Sequence, residues 1–292
     1  MEKRITRLNQ MNNTSISLSF ITPSSLQLHQ FLPSTFTFPT HHSLRNRPLS
    51  TNCSLPPHPT TIPSTVTKVA AANDSSLAVK KKAADVSPEL KGTSIFLIGL
   101  GSSLKTNLGK LLADVLRYYY FDSNSLVEEA LGGASAAKSF RESDEKGFCE
   151  SETEVLKQLS SMGRLVVCAG NGAVQSSTNL ALLRHGISLL VDVPLDIVAR
   201  DVVEDRGQFA SFEISTPGSY PEVTKQLAAL YSKYKDGYAT ADAVISLQKV
   251  ASRLGYDNLD DITKEDMALE ALGEIEKLTR VKKMMAEAAR PF

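Results

Sequence analysis

Short apolar runs alternate with amphipathic stretches through the part of the chain that follows residue 92. Five runs rich in β-branched, leucine or aromatic residues predict strands, at 93–98, 118–121, 164–168, 187–191 and 243–247. Between them apolar residues recur with helical spacing, which predicts helices at 105–116, 125–131, 136–148, 150–162, 195–203, 222–234 and 264–289, the last broken near Gly273. Strands that alternate with helices predict an α/β domain, in which helices cover both faces of a parallel sheet.

The beginning of the chain differs in composition from the rest. All 16 glycines lie at Gly92 or later, and Glu2 is the single acid among the many hydroxyls and scattered basic residues of 1–67. This composition is typical of an organelle transit peptide, and such a segment cannot bury enough apolar surface to order itself. A plain disordered tail is the alternative. The expected divisions are a transit peptide at 1–67, a linker at 68–91, a folded domain at 92–250, and a helical extension at 251–292 that packs on the domain or extends it.

Charge and cysteine usage exclude several classes of function. The formal net charge is zero, so bulk electrostatics do not favour a nucleic acid partner. Cys53, Cys149 and Cys168 are too few and too irregularly spaced for a disulfide framework or a metal site. No apolar run approaches the ~18 residues that a membrane span needs.

The stretch FLIGLGSSLKTNLGK, at 96–110, is similar to a phosphate-binding loop. An apolar run ends at Gly99, and Lys105 and Thr106 follow at the spacing of a lysine and a magnesium-binding hydroxyl. Leu104 stands where that pattern has glycine. A left-handed backbone there would cost a residue with a Cβ roughly 1–2 kcal/mol, and the side chain would fill phosphate space. An ordinary strand–loop–helix junction with a chance Lys-Thr is the alternative.

Motifs along the rest of the chain resemble those of shikimate kinase, the plant plastid enzymes in particular. They are GLGSSLKTNLGKLLADVL, YYYFDSNSLVEEALGG, ESETEVLKQLSSMGRLVVCAGNGAV, LLVDVPLDIVAR and YATADAVISL, in consistent order within 92–247. The resemblance implies a P-loop, nucleoside-monophosphate-kinase-like three-layer sandwich around a five-stranded parallel sheet. It also implies transfer of a phosphoryl group from ATP to the 3-hydroxyl of shikimate. The chain is most similar to plant family members regarded as inactive and associated with chloroplast biogenesis.

Mapping the family's ATP site onto this chain gives a mixed result. Gly99, Lys105 and Thr106 match the family's phosphate loop, whereas Ser102 and Leu104 replace its other two glycines. Serine could be tolerated there, and Leu104 is the harder case. The family's mobile lid carries a basic run, and the corresponding stretch, 204–220, has only Arg206. Next to the matching Arg200, Asp201 replaces a basic residue.

The substrate-binding positions depart further from the family pattern. Asp122, Glu152, Gly170 and Gly172 match residues that serve magnesium or shikimate in the family, although Asp122 could equally be a helix N-cap. Three other positions have lost the chemistry that the resemblance implies. An amide replaces a carboxylate at Asn124, and neither Cys149 nor Tyr234 can supply the positive charge of a carboxylate-binding arginine. Asn171 replaces the middle glycine of a Gly-Gly-Gly turn.

Two details of this region carry further expectations. Glu152 is expected to be left without the arginine that it neighbours in the family. Cys149 could in principle be a new nucleophile, but its acidic surroundings predict a raised thiol pKa and favour a plain thiol.

These departures together predict a protein that keeps the fold and loses the chemistry. A hydrogen bond to a charged group contributes about 1.5–3 kcal/mol, so three lost partners would weaken substrate binding by about 4.5–9 kcal/mol, roughly three to six powers of ten. We therefore expect an inactive, chloroplast-stromal relative with no catalytic residues, no metal and no required cofactor, which binds a plastid protein or a small ligand. An active kinase and an ATP sensor that retains residual ATP or magnesium binding are the alternatives. The basic run of Arg280, Lys282 and Lys283 fits either a docking helix or a solvated one.

Overall fold

The computed structural model describes residues 65–204 and 219–289, with side chains from residue 74 onward. Its five strands form one parallel sheet in the order β2-β3-β1-β4-β5. The central strand β1 pairs on both sides, with Ile95 opposite Val166 of β3 and Ile187 of β4. The predicted α/β class and five-stranded parallel sheet are confirmed. The strands are β1 (Ile95–Ile98), β2 (Tyr119–Asp122), β3 (Leu165–Cys168), β4 (Ile187–Asp192) and β5 (Ala243–Ser246).

Helices cover both faces of this sheet, because the side chains of each buried strand alternate between two cores. Ile95 and Leu97 join one core together with helices α1, α2, α7, α9 and α10, whereas Phe96 and Ile98 join the other with α3 to α6. The α-helices are α1 (Thr65–Leu90), α2 (Ser103–Leu116), α3 (Ser123–Ala130), α4 (Ala134–Ser143), α5 (Glu145–Ser161), α6 (Ser177–Leu183), α7 (Leu195–Glu204), α8 (Tyr220–Tyr238), α9 (Leu247–Leu254) and α10 (Lys264–Ala288).

The expected linker at 68–91 is wrong, because this segment lies in α1. Val79, Ala83, Val86 and Leu90 are each 1% exposed and belong to the same core as α2 and α10. Their spacing of three and four residues places them on one face of the helix. The polar residues between them, including the lysine run at 80–82, conceal that pattern in the sequence.

Helix α1 packs alongside α10, at the far end of the chain. Lys82 pairs with Glu276 at 2.5 Å and Lys283 pairs with Glu89 at 3.4 Å. Both pairs join residues 194 positions apart, so the two helices run in the same direction. The C-terminal segment and the segment before Gly92 therefore build one layer of the fold together.

Two predicted helix breaks differ in the structure. The helix expected at 136–148 is divided at Asp144, which has a non-helical backbone and is the N-cap of α5. Its carboxylate accepts from the N–H of Gly147 at 2.9 Å. The break expected near Gly273 is absent, and α10 continues through it. Leu272 and Ile275 are fully buried on either side, and burial of each is worth about 1.5–3 kcal/mol, more than the roughly 0.5–1 kcal/mol cost of a helical glycine.

Three expectations concern segments at the limits of the structure. The expected transit peptide lies outside the described residues, apart from its last residues in α1. Most of the expected lid at 204–220 lies outside them too. The domain boundary expected at residue 250 falls inside α9. Among the described helices, none combines the length and apolarity that would let it cross a membrane.

Candidate functional site

The candidate site lies at the carboxyl ends of the central strands, where ligands bind in open parallel sheets. Gly99 follows β1 with φ +119°, a conformation that favours glycine. A Cβ at this position would lie 2.6 Å from the carbonyl oxygen of Val191 at the neighbouring end of β4. Glycine is therefore required here by the close approach of two strands, whatever the loop binds.

The ammonium of Lys105 lies inside this loop and is held by backbone carbonyls. Nζ donates to the carbonyl of Gly99 at 2.7 Å and to that of Ala169, after β3, at 3.0 Å. The side chain is 4% exposed, and burial lowers the pKa of Lys105 below its ordinary value. Lys105 thus joins the ends of β1 and β3.

The two residues that replace loop glycines fit the helix α2 without strain. Ser102 is the N-cap of α2, and its fully buried hydroxyl accepts from the N–H of Lys105 at 3.2 Å. The expectation of a left-handed backbone at Leu104 is wrong, because Leu104 lies in the first turn of α2. Its side chain is partly buried and packs against the core that contains α2.

A carboxylate from α7 meets the first turn of α2. Oδ2 of Asp201 accepts from both the N–H and the hydroxyl of Ser103, each at 2.8 Å. The sequence shows Asp201 only as the loss of a basic residue. Its contact with Ser103, 98 positions away, has no signal in the sequence.

The hydroxyl expected to hold magnesium lies beside Tyr120 of β2. The side chains of Thr106 and Tyr120 hydrogen-bond, and burial is the main cause that raises the pKa of Tyr120 above its ordinary value. Cys168 is adjacent and buried, and burial raises the pKa of its thiol to about 11. Both groups are therefore neutral near pH 7.

Asp122 caps α3, as the alternative interpretation predicted. Its carboxylate accepts from the N–H of Asn124 at 3.0 Å and from that of Ser125 at 3.2 Å. Asn124 packs directly against Gly170, where a Cβ would overlap the Asn124 amide oxygen. The N–H of Gly170 donates to the hydroxyl of Ser123 at 2.9 Å. These contacts join the turn after β2 to the turn after β3.

The thiol of Cys149 on α5 has a raised pKa, the direction that the sequence predicted from its acidic neighbours. Burial, and then the charges of Glu152 and Glu145, raise the pKa of the Cys149 thiol, while the charge of Arg141 lowers it by less. The thiol donates to Oε1 of Gln175 at 3.5 Å. These contacts favour a neutral thiol over a nucleophile.

Arg141 brings a positive charge into the neighbourhood of Cys149. Its guanidinium lies 5.4 Å from the centre of the Phe148 ring. Glu152 takes part in electrostatic or polar interactions of the folded chain, and its charge is one of those that raise the pKa of the Cys149 thiol. The carboxylate of Glu152 also packs directly on Gly172, where a Cβ would overlap it.

Tyr234, at the remaining predicted site position, lies on α8 near Tyr238. Tyr234 is 3% exposed, its ring centre lies 6.3 Å from that of Tyr238, and the ammonium of Lys233 lies 4.9 Å from its ring. Tyr238 donates to Oδ1 of Asn171 at 2.8 Å. The Asn171 side chain is therefore held among buried residues by this bond.

The arrangement offers few groups for catalysis or metal binding. Within 74–204 and 219–289, no three His, Cys, Asp or Glu side chains are grouped so that they could hold a metal ion. The buried cation, Lys105, bonds to two carbonyls, and Asp201 lies at the start of α2. Polar groups are thus joined to one another across the ends of β1, β2 and β3.

Comparison with known proteins identifies the family. The sequence profile of shikimate kinase matches residues 101–256, which hold the loop from Gly101 onward, α2 and all the strands after β1. The chain belongs to the shikimate kinase family. An Arabidopsis thaliana protein named probable inactive shikimate kinase like 1, chloroplastic, is 62% identical over 73% of this chain and 73% of its own length. Shikimate kinase 3, chloroplastic, of Oryza sativa subsp. japonica is 38% identical over 76% of this chain and 78% of its own.

Solved shikimate kinase structures share the fold. The enzyme of Acinetobacter baumannii, in complex with shikimate, superposes with a TM-score of 0.53 at 22% identity, over 66% of this chain and 98% of its own. That of Bacteroides thetaiotaomicron superposes with a TM-score of 0.52 at 21% identity, over 63% and 98%. At this identity the likeness concerns the architecture alone.

Proposed function

We propose that this member of the shikimate kinase family does not transfer phosphoryl groups and acts in the chloroplast stroma by binding. Its role would be binding or regulatory, in chloroplast biogenesis, with a plastid protein or a small ligand as partner. The 62% identity to a chloroplastic relative named probable inactive supports the absence of phosphoryl transfer and the location in the chloroplast. The relatives named as shikimate kinases match at lower identity, 38% for the rice enzyme.

The state of Lys105 is the observation that carries the proposal. Phosphoryl transfer depends almost entirely on positioning and on stabilisation of charge at the phosphate. The Lys105 ammonium instead donates to two carbonyls, is almost fully buried, and has a lowered pKa. Two of the three N–H donors of the ammonium are thus used by carbonyls of the protein. The cation that should neutralise the outer phosphates is therefore used to hold the ends of two strands together.

The substrate side of the site supports the same conclusion. Cys149 presents a thiol with a raised pKa where the family's pattern has an arginine, and Tyr234 is a buried ring at the second arginine position. Asn124 packs against Gly170 as an amide that cannot act as a general base near neutral pH. The carboxylate and the hydroxyls of shikimate would thus lose about 4.5–9 kcal/mol of binding in total. No cofactor is required by the proposed role.

A direct assay tests the proposal. We expect the purified full chain, supplied with ATP, magnesium and shikimate, to show no more phosphoryl transfer than its Lys105→Ala variant. One of the related plant shikimate kinases, assayed in parallel, is the positive control. A turnover above roughly 1 per second, typical of kinases, that Lys105→Ala abolishes would overturn the proposal.

ATP binding without transfer is examined separately. Thermal unfolding with and without millimolar ATP should give the same midpoint for the full chain, since Lys105 is engaged elsewhere. An ATP-dependent rise that Lys105→Ala removes would favour an ATP sensor. Affinity purification from chloroplasts, with the wild-type chain and Lys105→Ala side by side, then addresses the partner.

A further inference from the structure

The first turn of α2 binds a carboxylate of the protein itself, that of Asp201. The first N–H groups of a helix have no partner within it and carry a partial positive charge, so they attract carboxylates and phosphates. Here Oδ2 of Asp201 accepts from the backbone N–H and from the hydroxyl of Ser103, both at 2.8 Å. Bonds of this kind, to an ionised acceptor, are stronger than neutral ones.

Two other N–H groups of the turn are also engaged. The N–H of Lys105 donates to the Ser102 hydroxyl, and the N–H of Thr106 donates to the carbonyl of Ser102. Among these groups the N–H of Ser103 is the one that meets a charge. A phosphate placed at this turn would need the same donor and would carry the same sign of charge as Asp201.

Asp201 is held in place by the packing of α7. Val198, Ala199 and Val202, on the same helix, are at most 6% exposed and belong to the core beneath α2. The neighbouring Arg200 forms a forked pair with Asp260, one of whose two bonds is 3.1 Å long. Asp260 belongs to a 3-10 turn, Leu259–Asp261, that precedes α10. The carboxylate is therefore positioned by a packed helix that is tied to the C-terminal part of the chain.

We propose that Asp201 is a built-in substitute for phosphate, an autoinhibitory contact that keeps phosphate-bearing ligands away from the first turn of α2. The proposal rests on the proposed function, since it explains how the loop of a protein without phosphoryl transfer stays closed to nucleotides. It also predicts that the turn itself is intact. A bound anion has to displace the Asp201 carboxylate or lie next to a charge of the same sign. Removal of the Asp201 charge therefore reopens the first turn of α2 to anions.

Charge-removing variants of the full chain test this proposal. Asp201→Asn removes the charge at nearly constant volume, and Asp201→Ala removes the acceptor as well. Glu204→Gln is the matched control, because Glu204 lies on the same helix, is exposed, and loses the same charge. The probes are inorganic pyrophosphate and ADP, titrated calorimetrically without magnesium at low ionic strength. Urea unfolding of each variant checks that it is folded.

We expect Asp201→Asn and Asp201→Ala to bind pyrophosphate about tenfold more tightly than the wild-type chain, which corresponds to about 1.4 kcal/mol. Glu204→Gln should change the affinity less than twofold. Folded Asp201 variants that bind pyrophosphate and ADP no better than the wild type would overturn the proposal. So would an equal gain in Glu204→Gln, because the effect would then be one of general charge. Phosphoryl transfer by the wild-type chain would refute the proposed function instead, so the two failures are distinct.

Discussion

Truncation of one side chain in α1 tests whether the segment before Gly92 belongs to the folded domain. Leu90 is 1% exposed and packs in the core that also contains α2 and α10. Leu90→Ala removes three carbon atoms from this core and leaves a cavity, since the neighbouring helices can collapse only in part. We therefore expect Leu90→Ala to lower the stability of the whole domain, although it lies outside the part of the sequence that resembles an enzyme.

The size of the effect follows from burial. Leucine-to-alanine substitutions at buried sites cost about 2–5 kcal/mol, and domains are stable by about 5–15 kcal/mol in total. Leu90→Ala should thus remove a substantial fraction of the stability. Leu77, on the same helix, is 66% exposed. Leu77→Ala makes the same chemical change at a site without a cavity and should stay within about 0.5 kcal/mol of the wild type.

Urea unfolding of the full chain, followed by circular dichroism, measures both variants. The midpoint for Leu90→Ala should fall clearly below that of the wild type, with a similar slope, because the same surface is exposed on unfolding. The midpoint for Leu77→Ala should coincide with the wild type. Equal midpoints for the two variants would refute the reasoning, since Leu90 would then be no more buried than Leu77.

Three further predictions concern single residues. Gly99→Ala should lower the thermal unfolding midpoint, because the strained backbone costs about 1–3 kcal/mol of stability. Gly273→Ala, at a position where a Cβ has open space, should raise the stability by about 0.5–1 kcal/mol. The reverse order would contradict the loop geometry. The rate of Cys149 alkylation, measured against pH with Cys149→Ser as blank, should rise with a midpoint above the ordinary thiol pKa, because the pKa of Cys149 is raised. A thiolate at neutral pH would argue for a nucleophile. Burial lowers the pKa of Lys105 from 10.5, so the unfolded chain holds more protons between the two values and stability should rise with pH there. Lys105→Met should flatten that rise in urea unfolding experiments at pH values below 10.5, and an unchanged rise would exclude a lowered pKa.

Much of the fold was accessible from local patterns. Each strand is a short apolar run that ends in a glycine or a polar residue, and such a run predicts its own conformation without knowledge of its neighbours. The sequence of α1 did not predict a helix, because polar residues and three lysines surround its four buried side chains. That helix is stabilised by α10, which lies nearly 200 positions away, so its local sequence has the composition of a linker.

The candidate site, like the fold, was predicted only in part from the sequence. Family motifs located Gly99, Lys105 and Thr106, and they marked Cys149 and Tyr234 as departures from the pattern; the ligand-binding roles of these positions stay predictions. Motifs could not show that Lys105 donates to Ala169, 64 positions away. Nor could they show that Leu104 is helical and packs into the core, because the backbone of a loop depends on what the loop packs against.

The class of fold, the five strands, the family and the positions that depart from the family's pattern could all be identified from the sequence. Those features depend on residue type and on spacing along the chain. Only the tertiary structure decided that α1 belongs to the core, that the Lys105 ammonium is held by two carbonyls, and that Asp201 meets Ser103. Each of these depends on the path of the chain in three dimensions, which brings together groups that are 64 to 194 positions apart.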